Sequence, residues 1–385
     1  VTLGTSPWLA DRFQGMGPRA NLFDLPRVLS SEPRGPLKMD YQQLCALGWK
    51  PCFQQQLPSD AEADVVVARV SSHHGSQLLM LGEQGEFPIP VQLAEAAGEV
   101  AVGDWLLLDA TDLRVLKRLE RQSLLYRKAS GAEVRPQPIA ANLDTIFIVT
   151  SCNEDFSLSR IERYLALTLQ AGINPVAVLT KADLCEDPDG LRRQVEQLHA
   201  GLVVETLDAR QPSQGESLSM WCRTGQTIAL VGSSGVGKST LANALGAADL
   251  ATGGIREKDG KGRHTTTVRS LHQLPSGGVL MDNPGIRELQ LPGCEEGLNE
   301  VFEDVLSVAA ECRFRNCRHD GEQGCAVAAA IDSGALDPRR FANYQKLLAE
   351  QSHNARSLVE RRDRDRKMGR YYKSVLDDKR RLRDL

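Results

Sequence analysis

The sequence predicts a multidomain α/β protein: an N-terminal five-stranded OB-like β-barrel, a central parallel sheet with helices on both faces, and a C-terminal helical module. Three observations predict this. Short β-rich runs between glycine turns occupy residues 64–119, strands and an amphipathic helix alternate from residue 145, and a Cys/His cluster lies beyond residue 310. At ~150 residues per domain, a chain of 385 residues with 41% apolar content points to two or three domains. The boundaries fall at 1–60 (arm and short amphipathic segment), 61–127 (OB-fold-like barrel), 128–295 (parallel-sheet domain) and 296–385 (Cys/His domain with a basic helical tail).

Each element is justified by local pattern. Residues 1 to about 40 are rich in Pro, Gly and Arg without helical or strand period and read as an extended arm. From Tyr41 to Leu57, Leu44, Leu47, Trp49 and Phe53 recur at roughly helical spacing, an amphipathic segment that packs on the next domain. The runs Val65–Val70, Gln77–Leu81, Phe87–Val91, Trp105–Leu108 and Leu113–Leu119 are the five barrel strands. The pattern fits an OB-fold that binds single-stranded nucleic acid and a plain scaffold barrel equally well. Lys128–Pro138 reads as a polar linker. Beyond it, Thr145–Thr150 and Pro175–Leu179 are apolar, β-branched strands around a helix in which Ser159 and Glu162 form a capping box. In that helix Ile161, Leu165 and Leu169 share a face, and Gly172 supplies the C-terminal cap. A strand–helix–strand unit implies a parallel sheet with ligands at the carboxyl ends of its strands.

Charge and cysteine usage exclude several classes. A formal charge of −4 and a pI near 6.1 leave no whole-chain nucleic-acid signature. The segment 356–385, however, carries twelve basic against six acidic residues, a local cationic tail. No apolar run approaches the ~18 residues of a membrane span and no secretory apolar stretch opens the chain, so a soluble, cytoplasmic protein without membrane partners is expected; separately, a monomer is expected. Nine cysteines, odd in number, argue for free thiols and one metal site rather than disulfides.

The phosphate chemistry is written in Gly232-Ser233-Ser234-Gly235-Val236-Gly237-Lys238-Ser239-Thr240, which fits G-x-x-x-x-G-K-[ST], comes after the strand Thr227–Val231 and opens a helix. Glycines let backbone N–H groups turn toward phosphate oxygens, Lys238 is suited to the β/γ-phosphates, and Ser239 to magnesium. Downstream, the apolar run Val279–Met281 ends in Asp282-Asn-Pro-Gly285, where Asp282 holds magnesium through water and Gly285 offers its N–H to the γ-phosphate. Between them, Gly262-Arg-His264-Thr-Thr-Thr267 has the character of a first switch. Thr266 is favoured as the remaining magnesium ligand, with Thr265 and Thr267 as alternatives. After Asp-x-x-Gly stands Ile286 rather than a water-orienting Gln. His264 is therefore a catalytic candidate beside Lys238, the alternatives being slow intrinsic hydrolysis or a partner that orders the catalytic element.

The base is read by Thr180-Lys181-Ala182-Asp183 at the end of a strand. The Asp183 carboxylate can accept from guanine N1–H and the exocyclic amine, whereas adenine presents an acceptor at N1, which selects GTP over ATP. Thr180 stands where Asn is usual; its hydroxyl can still tie this loop to the phosphate loop. Asp208-Ala209 occupies the place of the Ser-Ala guanine motif. Because Asp183 precedes Gly232, the P-loop GTPase is circularly permuted. Last, Cys312-x4-Cys317-x-His319-x5-Cys325 supplies three thiolates and an imidazole, a closed structural zinc site, with Arg313, Arg315 and Arg318 beside it.

These residues together resemble the RsgA (YjeQ/YloQ) family of bacterial circularly permuted GTPases, over residues 60 to 345. The resemblance implies an N-terminal OB-fold, a central GTPase, a zinc-binding C-terminal domain, and a role in late assembly of the small ribosomal subunit, whose rRNA it binds and which stimulates it. Two readings from different classes result: a GTP-hydrolysing ribosome-biogenesis factor, or an RNA-binding regulatory module holding nucleotide without turnover. A P-loop ATPase is a third. GDP and ADP binding, and GTPase assays with and without small subunits, separate them.

Overall fold

Alternation of apolar side chains along the first strands builds a sheet with two working faces. The computed structural model describes residues 40–58, 65–128, 136–247, 270–282 and 293–352. These belong to a unit spanning Met39–Leu385; the remaining unit, Val1–Lys38, the predicted basic tail and the first-switch segment lie outside the described residues.

Strands β1 (Val65–His74), β2 (Gln77–Gly82), β3 (Gly85–Pro90), β4 (Trp105–Asp109) and β5 (Val115–Arg118) form an antiparallel sheet in the order β3-β2-β1-β4-β5. Period-2 alternation sends Ala68, Val70, Leu106 and Leu108 into one core with Leu78, Met80 and Ile89. It sends Val67, Trp105 and Leu107 to the other face, against Leu44, Leu47, Trp49 and Phe53. Those four residues lie in and around two short helices, α1 (Tyr41–Ala46) and α2 (Pro51–Gln54), rather than one amphipathic helix. The break falls at Gly48, where a φ of +90° and the close approach of the Arg69 guanidinium leave no room for a side chain. A 3₁₀ helix, Val91–Ala97, packs against β5, and Arg118 Nη1 donates to its Ala97 carbonyl at 2.8 Å.

Of the expected linker at Lys128–Pro138, the described residues, Lys128 and 136–138, belong instead to two paired strands, and 129–135 lie outside the described residues. β6 (Leu124–Lys128) pairs antiparallel with β7 (Pro136–Ala141). The prolines mislead because they sit where a ladder tolerates them: Pro136 opens its strand and Pro138 lies opposite Tyr126, beside the register shift.

The central sheet contains β8 (Thr145–Ser151), β9 (Asn174–Thr180), β10 (Val203–Thr206), β11 (Thr227–Val231), β12 (Ser270–Gln273) and β13 (Val279–Asp282), in the order β10-β9-β8-β11-β13-β12. All neighbours are parallel except β12 against β13. Alternation again divides the faces. Ile146, Ile148, Ala177 and Leu179 join a core with α3 (Leu158–Gln170) and α4 (Pro188–Glu196), while Phe147, Val149, Val176 and Val178 join a second core with α5 (Lys238–Ala244). Helices α6 (Glu295–Val301), α7 (Glu303–Ala310), α8 (Ala326–Asp332) and a last helix over 338–352 contribute Leu298, Val305, Val327, Phe341 and Leu347 to the α3 side.

Helix α3 corrects the capping-box expectation. Its N-cap is Ser157, two residues before Ser159, and no side chain caps it. Glu162 is fully buried and accepts from Arg339, Arg340 and Asn343 of the last helix instead. Gly172, at φ +68°, lies just past the helix end, as its position in the sequence requires.

A buried cation joins the N-terminal sheet to the central sheet. Arg69 of β1 donates to the carbonyls of Leu47 (2.5 Å), Gly103 (3.2 Å) and Asn142 (3.1 Å) and to the hydroxyl of Thr227 (2.9 Å). Burial lowers its pKa to about 10, so it stays protonated at neutral pH. The same end of β11 is held by Asp144, which accepts from Thr227 N at 2.8 Å and pairs with Lys50. Among the described residues no helix is long and apolar enough to cross a membrane.

Candidate functional site

Parallel strands place their carboxyl ends on one edge, and the motif residues gather there. β11 lies between β8 and β13. The register of Ala229 opposite Met281 sets Asp282 on the same edge as the glycine loop that leaves Val231. At Gly232 an added Cβ would collide with the Val149 carbonyl, so the loop can begin only where no side chain intervenes. Gly235 and Gly237 take positive φ values, and α5 starts at Lys238 with Ser239 and Thr240 in its first turn. Lys238 is largely buried, its ammonium donating to the carbonyls of Gly232, at 2.8 Å, and Ser233. The lysine thus lies back along the loop it serves.

The decisive geometry lies between the two motifs that the sequence separates by about fifty residues. Thr180, fully buried at the end of β9, directs its hydroxyl to the Val236 carbonyl of the phosphate loop at 2.5 Å, with the Thr150 carbonyl at 3.2 Å. Gly237 is packed on the same threonine, its ideal Cβ position 3.5 Å from the hydroxyl oxygen. A hydroxyl therefore makes the link expected where Asn is usual. Lys181 comes next in a left-handed conformation, φ +58°, and Asp183 sits in the 3₁₀ turn Ala182–Leu184. From the neighbouring strand β10, the loop Asp208-Ala209 comes alongside.

Two arginines at this edge belong to no motif and escape sequence reasoning. Arg210 Nη2 donates to Asp183 Oδ2 at 2.6 Å, and its Nε and Nη2 donate to Asp208 at 3.0 and 3.1 Å. Side-chain and backbone donation from Arg210 depresses the Asp208 carboxyl to about 2, so it is ionised throughout the neutral range. Arg160, in the first turn of α3, donates to the Ser233 hydroxyl at 2.7 Å. A signal for Arg210 exists in the pair Asp208-x-Arg210, an acid where the guanine motif has Ser, with a base two residues later. Arg160 has none. His264, Thr266, Gly285 and Ile286 lie outside the described residues.

At the far end, Cys312, Cys317, His319 and Cys325 bring one donor atom each within 4.8 Å of one another. His319 adopts φ +63° and turns Nδ1 toward two sulfurs, 3.6 Å from Cys312 Sγ and 3.5 Å from Cys325 Sγ. Backbone N–H groups of Ala326 and Ala328 point at Cys312 and Cys325, at 3.3 and 3.4 Å, an environment suited to thiolates. The donor set fits a structural metal site.

A glycine-lined phosphate loop joined to the Thr180–Asp183 loop that precedes it in the chain is the arrangement of a circularly permuted P-loop GTPase. The family model described as RsgA GTPase matches residues 118–292. The chain is 52% identical over 335 residues to "Small ribosomal subunit biogenesis GTPase RsgA 2" of Vibrio parahaemolyticus, covering 87% of this chain and 93% of that protein. It is 45% identical over 315 residues to "Small ribosomal subunit biogenesis GTPase RsgA" of Mesorhizobium japonicum, covering 81% and 90%. YjeQ from Thermotoga maritima shares the fold at TM-score 0.54 and 25% identity, covering 74% of this chain and 98% of that one. The chain belongs to the RsgA family of small ribosomal subunit biogenesis GTPases, and the readings without GTP turnover or with ATP give way to it.

Proposed function

We propose that this GTPase binds GTP with magnesium between the loops 180–183, 208–209 and 232–240, and spends its hydrolysis on a step of small-subunit maturation in the cytoplasm, acting as a monomer on the subunit's rRNA. The observation that carries the nucleotide reading is the Thr180–Val236 hydrogen bond, which joins the base-reading and phosphate-binding loops. Ser239 and Asp282 supply the hydroxyl and carboxylate chemistry magnesium requires, with Thr266 as the further ligand from the first switch. When bound, the ion would neutralise charge on the β- and γ-phosphates. The residues' own tasks are separable: Lys238 holds phosphate oxygens, Asp183 reads the base, and Gly285 senses the γ-phosphate. His264 orients the attacking water in place of the glutamine that Ile286 displaces.

The division of labour respects the boundaries 1–60, 61–127, 128–295 and 296–385, with the barrel and the Cys/His domain on the rRNA. Zinc is the metal that suits the cluster. Tetrahedral Zn–S and Zn–N bonds of ordinary length separate sulfur from nitrogen by about 3.6 Å, and the two separations from His319 Nδ1 are 3.6 and 3.5 Å. The names of the relatives from Vibrio and Mesorhizobium support the ribosomal assignment.

The test is single-turnover GTP hydrolysis with and without purified small ribosomal subunits, alongside co-sedimentation in each nucleotide state. Stimulated turnover and nucleotide-dependent co-sedimentation are expected. Turnover that ignores the subunit would defeat the ribosomal reading, and an unchanged rate in His264→Ala would remove His264 from the mechanism.

A further inference from the structure

We infer that Arg210 is a positioning residue for guanine recognition: held on Asp208, it fixes the carboxylate of Asp183 that reads the base. The inference rests on the proposed role of Asp183 and deepens it. Asp208 stands where the guanine motif ordinarily has Ser, and the structure gives this departure a purpose. The Asp208 carboxylate accepts from the Arg210 backbone N–H at 3.0 Å, from Arg210 Nε at 3.0 Å and Nη2 at 3.1 Å, and from Gln211 Nε2 at 3.3 Å. A planar guanidinium gripped along one edge has little freedom left, and its Nη2 also reaches Asp183 Oδ2 at 2.6 Å.

The two acids come from different strands, β9 and β10, so Arg210 is the strut between the base-reading loops. A carboxylate offers about four acceptor sites, so an Asp183 oxygen engaged by Arg210 still leaves acceptors for the N1–H and amino group of guanine. The contact sets which way they face. It also keeps Asp183 beside a cation while it awaits a neutral base, a geometry that Thr180, bonded to the phosphate loop, does not supply.

Arg210 is two-thirds exposed, so its effect is that of a solvent-screened pair. Arg210→Ala is expected to raise the GDP Kd and the GTP KM about five-fold, the upper end for such pairs, with kcat unchanged because base contacts bind ground and transition states alike. Asp208→Asn is expected to act in the same direction. Arg210→Lys, a point charge without the fork, restores part of the loss. Two readouts separate positioning from a general loosening. The preference for GDP over inosine diphosphate, which lacks the amino group, falls in Arg210→Ala, whereas loosening weakens both alike. In an Asp183→Ala background, Arg210→Ala has no further effect, since its action passes through that carboxylate.

The measurement is equilibrium titration of the full-length chain with fluorescent GDP, competed by inosine diphosphate, for the single and double variants, each checked by thermal melting. GDP binding unchanged or tightened in Arg210→Ala, or an undiminished effect in the Asp183→Ala background, overturns the inference. If Asp183→Ala itself leaves GDP affinity intact, the base-reading assignment fails, and the role of Arg210 fails with it.

Discussion

Thr180 shows what one side chain can carry. It is buried, and its hydroxyl ties the loop proposed to read the base to the phosphate loop. Thr180→Val keeps the shape and removes the donor, leaving the Val236 carbonyl without that partner. At roughly 0.5–1.5 kcal/mol for such a bond, the GDP Kd is expected to rise up to about ten-fold as the loops lose their tie, with a modest fall in melting temperature because the bond is already made without ligand. Titration with fluorescent GDP checks this; unchanged affinity would mean the loops are held together by other contacts. Residue identity makes this position legible before any geometry, because a motif fixes both chemistry and place. Arg210 is not legible in that way: an exposed arginine in a loop has no period, and what matters is which strand end lies opposite.

At the scale of the element, helix α3 has several duties at once. Its first turn touches the phosphate loop through Arg160 and Ser233. Its buried face holds Glu162, and Arg163 pairs with Glu350 of the last helix at 2.5 and 2.8 Å. Glu162 accepts from Arg339, Arg340 and Asn343, and Arg340 also pairs with Asp304 at 2.6 Å. Removing the carboxylate strands Arg340, which is itself buried. Glu162→Ala is therefore expected to lower unfolding stability by about 3 kcal/mol, read from the urea midpoint. A loss no larger than that of an exposed charge would show that Asp304 and the carbonyls of Leu198 and Val301 suffice for Arg340. The helix itself is legible from its apolar stripe, and Ile161 and Leu165 are core residues as that stripe requires. Its start is not, since Ser-x-x-Glu is equally the pattern of a capping box and of a buried acid facing another helix. The β6–β7 hairpin escapes the sequence pattern for a similar cause: proline at a strand's first residue and beside a register shift looks, in one dimension, like a linker.

Across the whole molecule, the sheet order explains how permutation leaves the site intact. β11 sits centrally and β9 two strands away, whichever is synthesised first, because parallel strands meet at their carboxyl edge by position and not by sequence order. Permutation changes the connection beyond Asp282: residues 283–292 lead directly to α6 and the Cys/His cluster, so γ-phosphate state is expected to alter protease cleavage between 283 and 352 when GDP is compared with a non-hydrolysable GTP analogue. The cluster gives a sharper test, because the chain's thiols divide by environment. Burial raises Cys152 to about 11 and Cys222 and Cys294 to about 12. Raised pKa values mean the unreactive thiol persists until the pH climbs through those values, so at pH 8 these three remain protonated as well as inaccessible. On the proposed metal site, Cys312, Cys317 and Cys325 would be protected differently, by an ion that a chelator removes. Native alkylation at pH 8 with mass measurement afterwards should therefore gain three labels on chelation and no label at Cys152, Cys222 or Cys294. Labelling of the cluster at full rate before chelation would show that no metal is held there, whereas simultaneous labelling of the buried three would show that the metal supports the central sheet as well as its own loop.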